Sequence, residues 1–269
     1  MNCLITFAVV FSIIIADTDE KSFGVERLRK LPVIEKRTVE DVADAQDVQV
    51  DSTPPCPVID VLILIDSPNT RVFSEEEIKS NVNHLIRDAQ KRYIDELELN
   101  MTLRLIGHIT YTNETEPDFI KDSVYMGDRE FIVAGEVIYK MRDIEDSPLV
   151  SRADVIILET GRDVIHSRPP PGEDVYHIAG MAWSSTACNR VVKFAVARYY
   201  AQDIYSVDIF IHELGHLINI GDNYYNEGCS VDLLPGKKKY SFCDKERVEK
   251  FLESSHSSCL FDNCDNGEK

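Results

Sequence analysis

SVDIFIHELGHLINIGDN, residues 206–223, contains His212-Glu213-Leu214-Gly215-His216, the HExxH pattern. On an α-helix, residues four apart lie about 40° round the axis, so both imidazoles reach one ion. Glu213 falls about 100° from His212 and about 60° from His216, on the same side of the cylinder. It is placed to hold a water at that ion without ligating it. Val207, Ile211, Leu214 and Ile218 supply an apolar stripe that buries the helix. The stretch therefore predicts a buried helix carrying a zinc site.

Upstream, Val58–Ile65 (VIDVLILI) reads as a buried strand that ends in a turn at Asp66-Ser67-Pro68-Asn69. Ser74 and Glu77 form a capping box, and Ile78, Val82, Leu85, Ile86, Ala89 and Tyr93 recur at helical spacing. Met101–Tyr111 predicts a second strand, Arg129–Arg142 a second helix and Val155–Leu158 a third strand. Pro169-Pro170-Pro171-Gly172 is loop. His177–Thr186 reads as an edge strand in which Gly180 allows a close backbone approach. Strand, helix, strand, helix, strand argues for an α/β sheet with crossover helices.

With 47 acidic and 29 basic residues the formal charge is −18, which offers no basic stripe to nucleic acid and no attraction to an anionic membrane. Residues 3–16 are an apolar run followed at once by DTDEK, as at the end of a signal peptide near Ala16. Without Cys3, six cysteines remain: Cys56, Cys188, Cys229, Cys243, Cys259 and Cys264. An even set of this kind reads as disulfides in an oxidising compartment, although six cysteines allow about 15 connectivities. Asn100 and Asn113 begin N-x-T sequons compatible with glycosylation. Residues 17–55 are polar and charged, a short acidic pro or linker segment with a candidate cleavage point after Arg37. The folded domain is expected over residues 56–269.

HELGHLINIGD resembles the metzincin pattern HExxHxxGxxH in its variant ending in Asp. The family's glycine position holds Asn219, a residue tolerant of left-handed backbone, and its third-ligand position holds Asp222. Cys229-Ser230-Val231, Tyr240-Ser241-Phe242-Cys243, Phe251-Leu252 and Cys259-Leu260-Phe261-Asp262-Asn263 resemble the adamalysin/reprolysin branch, which includes arthropod venom and salivary metalloproteases. Val231 stands where that branch has a methionine beneath the metal. The resemblance reaches back to about Cys56. It implies an α/β metzincin-like domain: a mixed twisted sheet with a substrate edge strand, crossover helices, a zinc helix and a small disulfide-stapled C-terminal subdomain. It also implies the pairs Cys188–Cys259 and Cys229–Cys243, with Cys56 and Cys264 joining the domain's ends.

The activity so implied is that of a secreted, monomeric endopeptidase cutting extracellular proteins. His212, His216 and Asp222 would hold Zn²⁺, Glu213 would act as general base, and Gly180, Met181 and Ala182 would receive the peptide as an added strand. Two other readings stay open. One is a non-catalytic secreted binding protein on a decayed protease fold; the other uses Glu227 or Asp232 as third ligand in place of Asp222. Retention of Glu213 favours catalysis, since a purely structural metal site needs no base.

Overall fold

A computed structural model describes residues 11–15, 56–144, 147–199, 204–222, 240–262 and 264. The expected cleavage point after Arg37, the segment 17–55, Glu227, Cys229, Val231 and Asp232 lie outside the described residues.

Nine strands form one mixed sheet: β1 (Phe11–Ile15), β2 (Val58–Ile65), β3 (Thr102–Thr110), β4 (Val124–Met126), β5 (Glu130–Val133), β6 (Val155–Thr160), β7 (Asp163–Ile165), β8 (His177–Trp183) and β9 (Phe194–Arg198). Their order is β3-β2-β6-β9-β8-β7-β5-β4, with β1 on β8. β3, β2, β6 and β9 are parallel, whereas β8 runs antiparallel to β9. Seven helices complete the described fold: α1 (Ser67–Thr70), α2 (Glu75–Leu97), α3 (Asp118–Lys121), α4 (Ala134–Lys140), α5 (Pro148–Arg152), α6 (Ile204–Leu217) and α7 (Phe242–Leu252).

Both faces of the sheet are covered, which explains why β2, apart from Asp60, and β6, as far as Leu158, carry apolar residues in succession rather than in alternation. Ile59, Val61, Ile63 and Ile65 of β2, with Val155 and Ile157 of β6, pack beneath α2, α6 and α7. Leu62, Leu64, Ile156 and Leu158 face the opposite way, toward α3, α4 and α5. Ser74 caps α2 as the spacing predicts: its hydroxyl accepts from the Glu77 amide, and the Glu77 carboxylate accepts from the Ser74 amide at 2.8 Å. The three glutamates of the first turn thus answer the positive helix end.

The helix expected over residues 129–142 starts late. Glu130–Val133 is strand β5, parallel to β7 and antiparallel to β4, and α4 begins only at Ala134. Phe131, Ile132 and Val133 are consecutive, apolar and fully buried, a pattern a two-faced strand satisfies and a half-exposed helix does not. Only two residues of β8, His177 and Ile178, pair with β7. The outer edge of its later residues is taken by β1, antiparallel, with Phe11 opposite Trp183 and Ser12 opposite Ala182. Disulfides join Cys56 to Cys264 and Cys188 to Cys259, tying the C-terminal segment to the start of β2 and to the loop after β8. Cys243 is also disulfide-bonded.

Candidate metal centre

Helix α6 carries the HExxH residues and is pressed onto the sheet by Phe210, Ile211, Leu214 and Leu217, all buried. A second grip comes from α2. The phenols of Tyr93 and Tyr240 both donate to the Ile211 carbonyl, at 2.6 and 3.0 Å, and Arg92 is ion-paired with Asp208. The ion pair holds the helix four residues before the first histidine and the two phenols hold it one residue before.

At its C-terminus the helix turns sharply. Asn219 takes a left-handed φ of 79°, and the Ile220 amide returns to the Gly215 carbonyl at 2.9 Å. The reversal brings Asp222 back over the helix: its Oδ1 lies 3.1 Å from His212 Nε2 and 3.6 Å from His216 Nε2. Asn219 does more than tolerate the turn. Its Oδ1 accepts from the Ser185 hydroxyl at 2.6 Å, and its Nδ2 donates to the Arg247 carbonyl at 2.9 Å, stitching the turn to the segment after β8 and to α7. Glycine would relieve the left-handed φ but forfeit both bonds, each worth about 1 kcal/mol, and would loosen the unfolded chain. Asn219→Gly is expected to lower the thermal midpoint by about 2–4 °C; a rise in that midpoint would show the side chain to be incidental.

The two histidines and the aspartate fit a metal ion. Neither Nε2 makes a hydrogen bond, although both are shielded from solvent. Metal–nitrogen and metal–oxygen bonds of about 2.0–2.1 Å at tetrahedral angles place ligand atoms about 3.3 Å apart, a value between the two contacts to Asp222. His216 Nδ1 lies 2.7 Å from the Ile220 carbonyl, to which it donates, so the Nε2 lone pair faces the other two ligands. Burial, then the neighbouring His212, push the His216 pKa down to about 4, so the ring is neutral and free to ligate near neutral pH. His212 and Asp222 keep about a fifth of their side-chain surface, leaving the site open on one side.

Glu213 is fully buried beside this trio, and neither carboxylate oxygen has a hydrogen-bond partner. Burial raises its pKa, and Asp222 and Glu159 raise it further. It rests directly on Gly180. A Cβ there would lie 2.6 Å from Glu213 Oε1 and 2.6 Å from the Val196 carbonyl of β9. The close approach expected at Gly180 is therefore made by the glutamate as well as by a backbone. Met181 and Ala182 are buried, and Trp183 is partly exposed. A second convergence, Asp154 with Cys188 and Cys259, is no metal site, because both thiols are spent in a disulfide. Neither Glu159 nor the Tyr93–Tyr240 grip stood out in the sequence, since a carboxylate at the end of a buried strand and two tyrosines 147 positions apart form no local pattern.

The model of the reprolysin-like metallopeptidases of family M12B matches residues 79–221. The chain belongs to that family. The match takes in most of α2, strands β3 to β9 and the HExxH helix, and ends one residue before Asp222. This reprolysin-like chain is 28% identical to the venom metalloproteinase antarease TserMP_A of the scorpion Tityus serrulatus, over 91% of the chain and 66% of that relative. It is 28% identical to the antarease-like TserMP_B of the same species, over 78% of the chain and 98% of that relative. The chain thus spans just under two thirds of the length of the first relative and nearly all of the second. The archaemetzincin of Methanopyrus kandleri overlies 76% of the chain and all of its own length at 13% identity, with a TM-score of 0.46. Among the described residues no helix is long and apolar enough to cross a membrane.

Proposed function

We propose that this reprolysin-like chain is a secreted zinc endopeptidase that cuts extracellular proteins and works as a monomer. The observation that carries the reading is the convergence of His212 Nε2, His216 Nε2 and Asp222 Oδ1 beside the buried Glu213. When bound, Zn²⁺ supplies Lewis acidity toward the scissile carbonyl and the attacking water. His212, His216 and Asp222 hold the ion. Glu213 takes one proton from the water onto a carboxylate oxygen as the C–O bond forms, then delivers it to the amine nitrogen as the C–N bond breaks. Its burial beside Gly180 shields that carboxylate from bulk solvent.

The outer edge of β8 receives the substrate backbone, and the antiparallel seat that β1 takes there supports this assignment of Gly180, Met181 and Ala182. Removal of residues 1–16 as a signal peptide frees the same edge. Secretion accords with the disulfides and with the exposed positions of Asn100 and Asn113, which we assign as glycosylation sites.

Casein or a quenched-fluorescent peptide, incubated with the secreted protein, tests the reading. Cleavage that a chelator stops and added zinc restores is the expected result; absence of cleavage from metal-loaded protein would assign the chain to a binding role. The fit under Glu213 gives a second expectation. Gly180→Ala forces either the β9 backbone or the catalytic carboxylate to move, at about 1–3 kcal/mol of stability. A displacement near 1 Å costs about 10²-fold in turnover. A variant with wild-type turnover would mean that Glu213 reaches its substrate from elsewhere.

A further inference from the structure

Glu159 is a buried carboxyl that the mechanism above leaves unused. It ends the apolar run of β6, is 2% exposed, and neither of its oxygens has a hydrogen-bond partner. Most buried polar groups in folded proteins are satisfied, so four unsatisfied carboxyl oxygens on two neighbouring glutamates, Glu159 and Glu213, call for a shared cause.

The register of the sheet brings the two together. Glu159 lies opposite Ile65 on one side and Ala197 on the other, and Ala197 lies opposite Gly180. Val155 and Ile157 of β6 face α6, so Glu159, two residues on, faces it as well. Ile65, Glu159, Ala197 and Gly180 thus form one row on the face that α6 covers. Glu213 comes down onto that row from α6 over Gly180, and Glu159 rises into it two strands away, about 10 Å between backbones. The residue between them on the sheet is Ala197, whose side chain is a single methyl group.

A small cavity lies on the side of Glu159 away from the metal centre. Its volume is about 10 Å³, room for roughly one water molecule, and it lies between Ile65, Phe73, Ile78, Leu85 and Tyr199. Burial, and then Asp66, push the Glu159 carboxyl well above its ordinary range, which favours the protonated form that can donate.

We propose that Glu159 is a positioning residue for the catalytic glutamate, gripping the carboxylate of Glu213 through a buried water seated over Ala197. The proposal rests on the reading of Glu213 as the general base. In this arrangement Glu159 donates to the water and the water donates to the inner oxygen of Glu213, leaving the outer oxygen directed at the reacting water. The carboxylate then keeps one orientation through proton uptake and delivery, which is where positioning a base yields rate.

Two substitutions in the zinc-loaded full chain test it. Glu159→Leu suits the apolar neighbours Ile65 and Ala197, so it folds, and it removes the donor. It should lower kcat by about 10–100-fold, with KM and zinc content unchanged, as loss of an outer partner does. Glu159→Gln keeps an N–H donor and should restore most of the rate. Wild-type kcat in the leucine variant, or a glutamine variant as slow as the leucine one, would overturn the proposal. If the wild type cleaves nothing, the peptidase reading fails instead, and a crystal structure of the zinc-loaded protein then decides this point. A water within hydrogen-bond distance of both carboxyls upholds the link between them, and apolar packing between them removes it.

Discussion

Glu213→Gln should slow peptide hydrolysis by about 10²–10⁴-fold, the usual share of a general base, while leaving one zinc per chain. The substitution replaces one oxygen by an amide of the same shape in a site where neither carboxylate oxygen is hydrogen-bonded to another protein group, so it creates no steric conflict and breaks no bond to the protein. It removes only the ability to accept a proton. Because the atoms of His212, His216 and Asp222 converge without Glu213, the metal should be retained. Side-by-side measurement of zinc content and turnover separates the roles. Loss of zinc together with activity would make Glu213 a ligand or a structural support, and unaltered turnover would remove it from the chemistry.

Arg162→Met should cost about 3–5 kcal/mol, the range for breaking a buried ion pair by removing one partner. The Arg162 guanidinium, 6% exposed, holds three carboxylates: Asp66 at 2.9 Å, Glu116 at 2.8 and 3.1 Å, and Glu130 at 3.1 Å. Asp66 also accepts from the Thr160 hydroxyl and the Gly161 amide, and Glu116 from the Ser67 amide. The knot joins the end of β2, the segment before α3, β5 and the turn between β6 and β7. With methionine there, Asp66 and Glu116 would face each other buried and unpaired. A domain of this size loses roughly 2–4 °C of thermal midpoint per kcal/mol, so a fall of about 6–20 °C is expected. Arg162→Lys, a point charge without the planar fork, should fall between.

Within the knot the two buried carboxylates have opposite signs: burial raises Asp66, whereas Glu116 is depressed and makes the knot acid-sensitive. Burial pushes Glu116 up, but its bonds to Arg162 and Ser67 prevail and hold it below the ordinary carboxylate range. The stability it supplies is therefore complete above the ordinary carboxylate pKa and is lost as pH falls through the depressed one. Thermal scans from neutral to acid pH read it; an Arg162→Met variant as acid-sensitive as the wild type would contradict the pairing.

The parts legible in the sequence are those written in local spacing. The HExxH helix, the capping box at Ser74, the apolar runs of β2 and β6 and the left-handed residue at Asn219 each depend on neighbours within one or two turns. The four-residue step from His212 to His216 fixes their common face before any tertiary contact forms. What stayed hidden is non-local. Arg162 meets partners at 66, 116 and 130, a set no window can join. Glu159 looks like the polar end of a strand until its register places it two strands from Gly180. Strand β5 was hidden for a different reason: three buried apolar residues at the head of an amphipathic helix read as its first turn, and only pairing with β4 and β7 distinguishes them.

The central claim is that His212, His216 and Asp222 together hold a catalytic zinc. Metal content of the secreted wild-type protein, measured beside Asp222→Ala, tests it most directly. One zinc per chain in the wild type and its loss from the variant is the predicted result. A wild type that binds no zinc, or an Asp222→Ala protein that keeps a full equivalent at unchanged affinity, would contradict it.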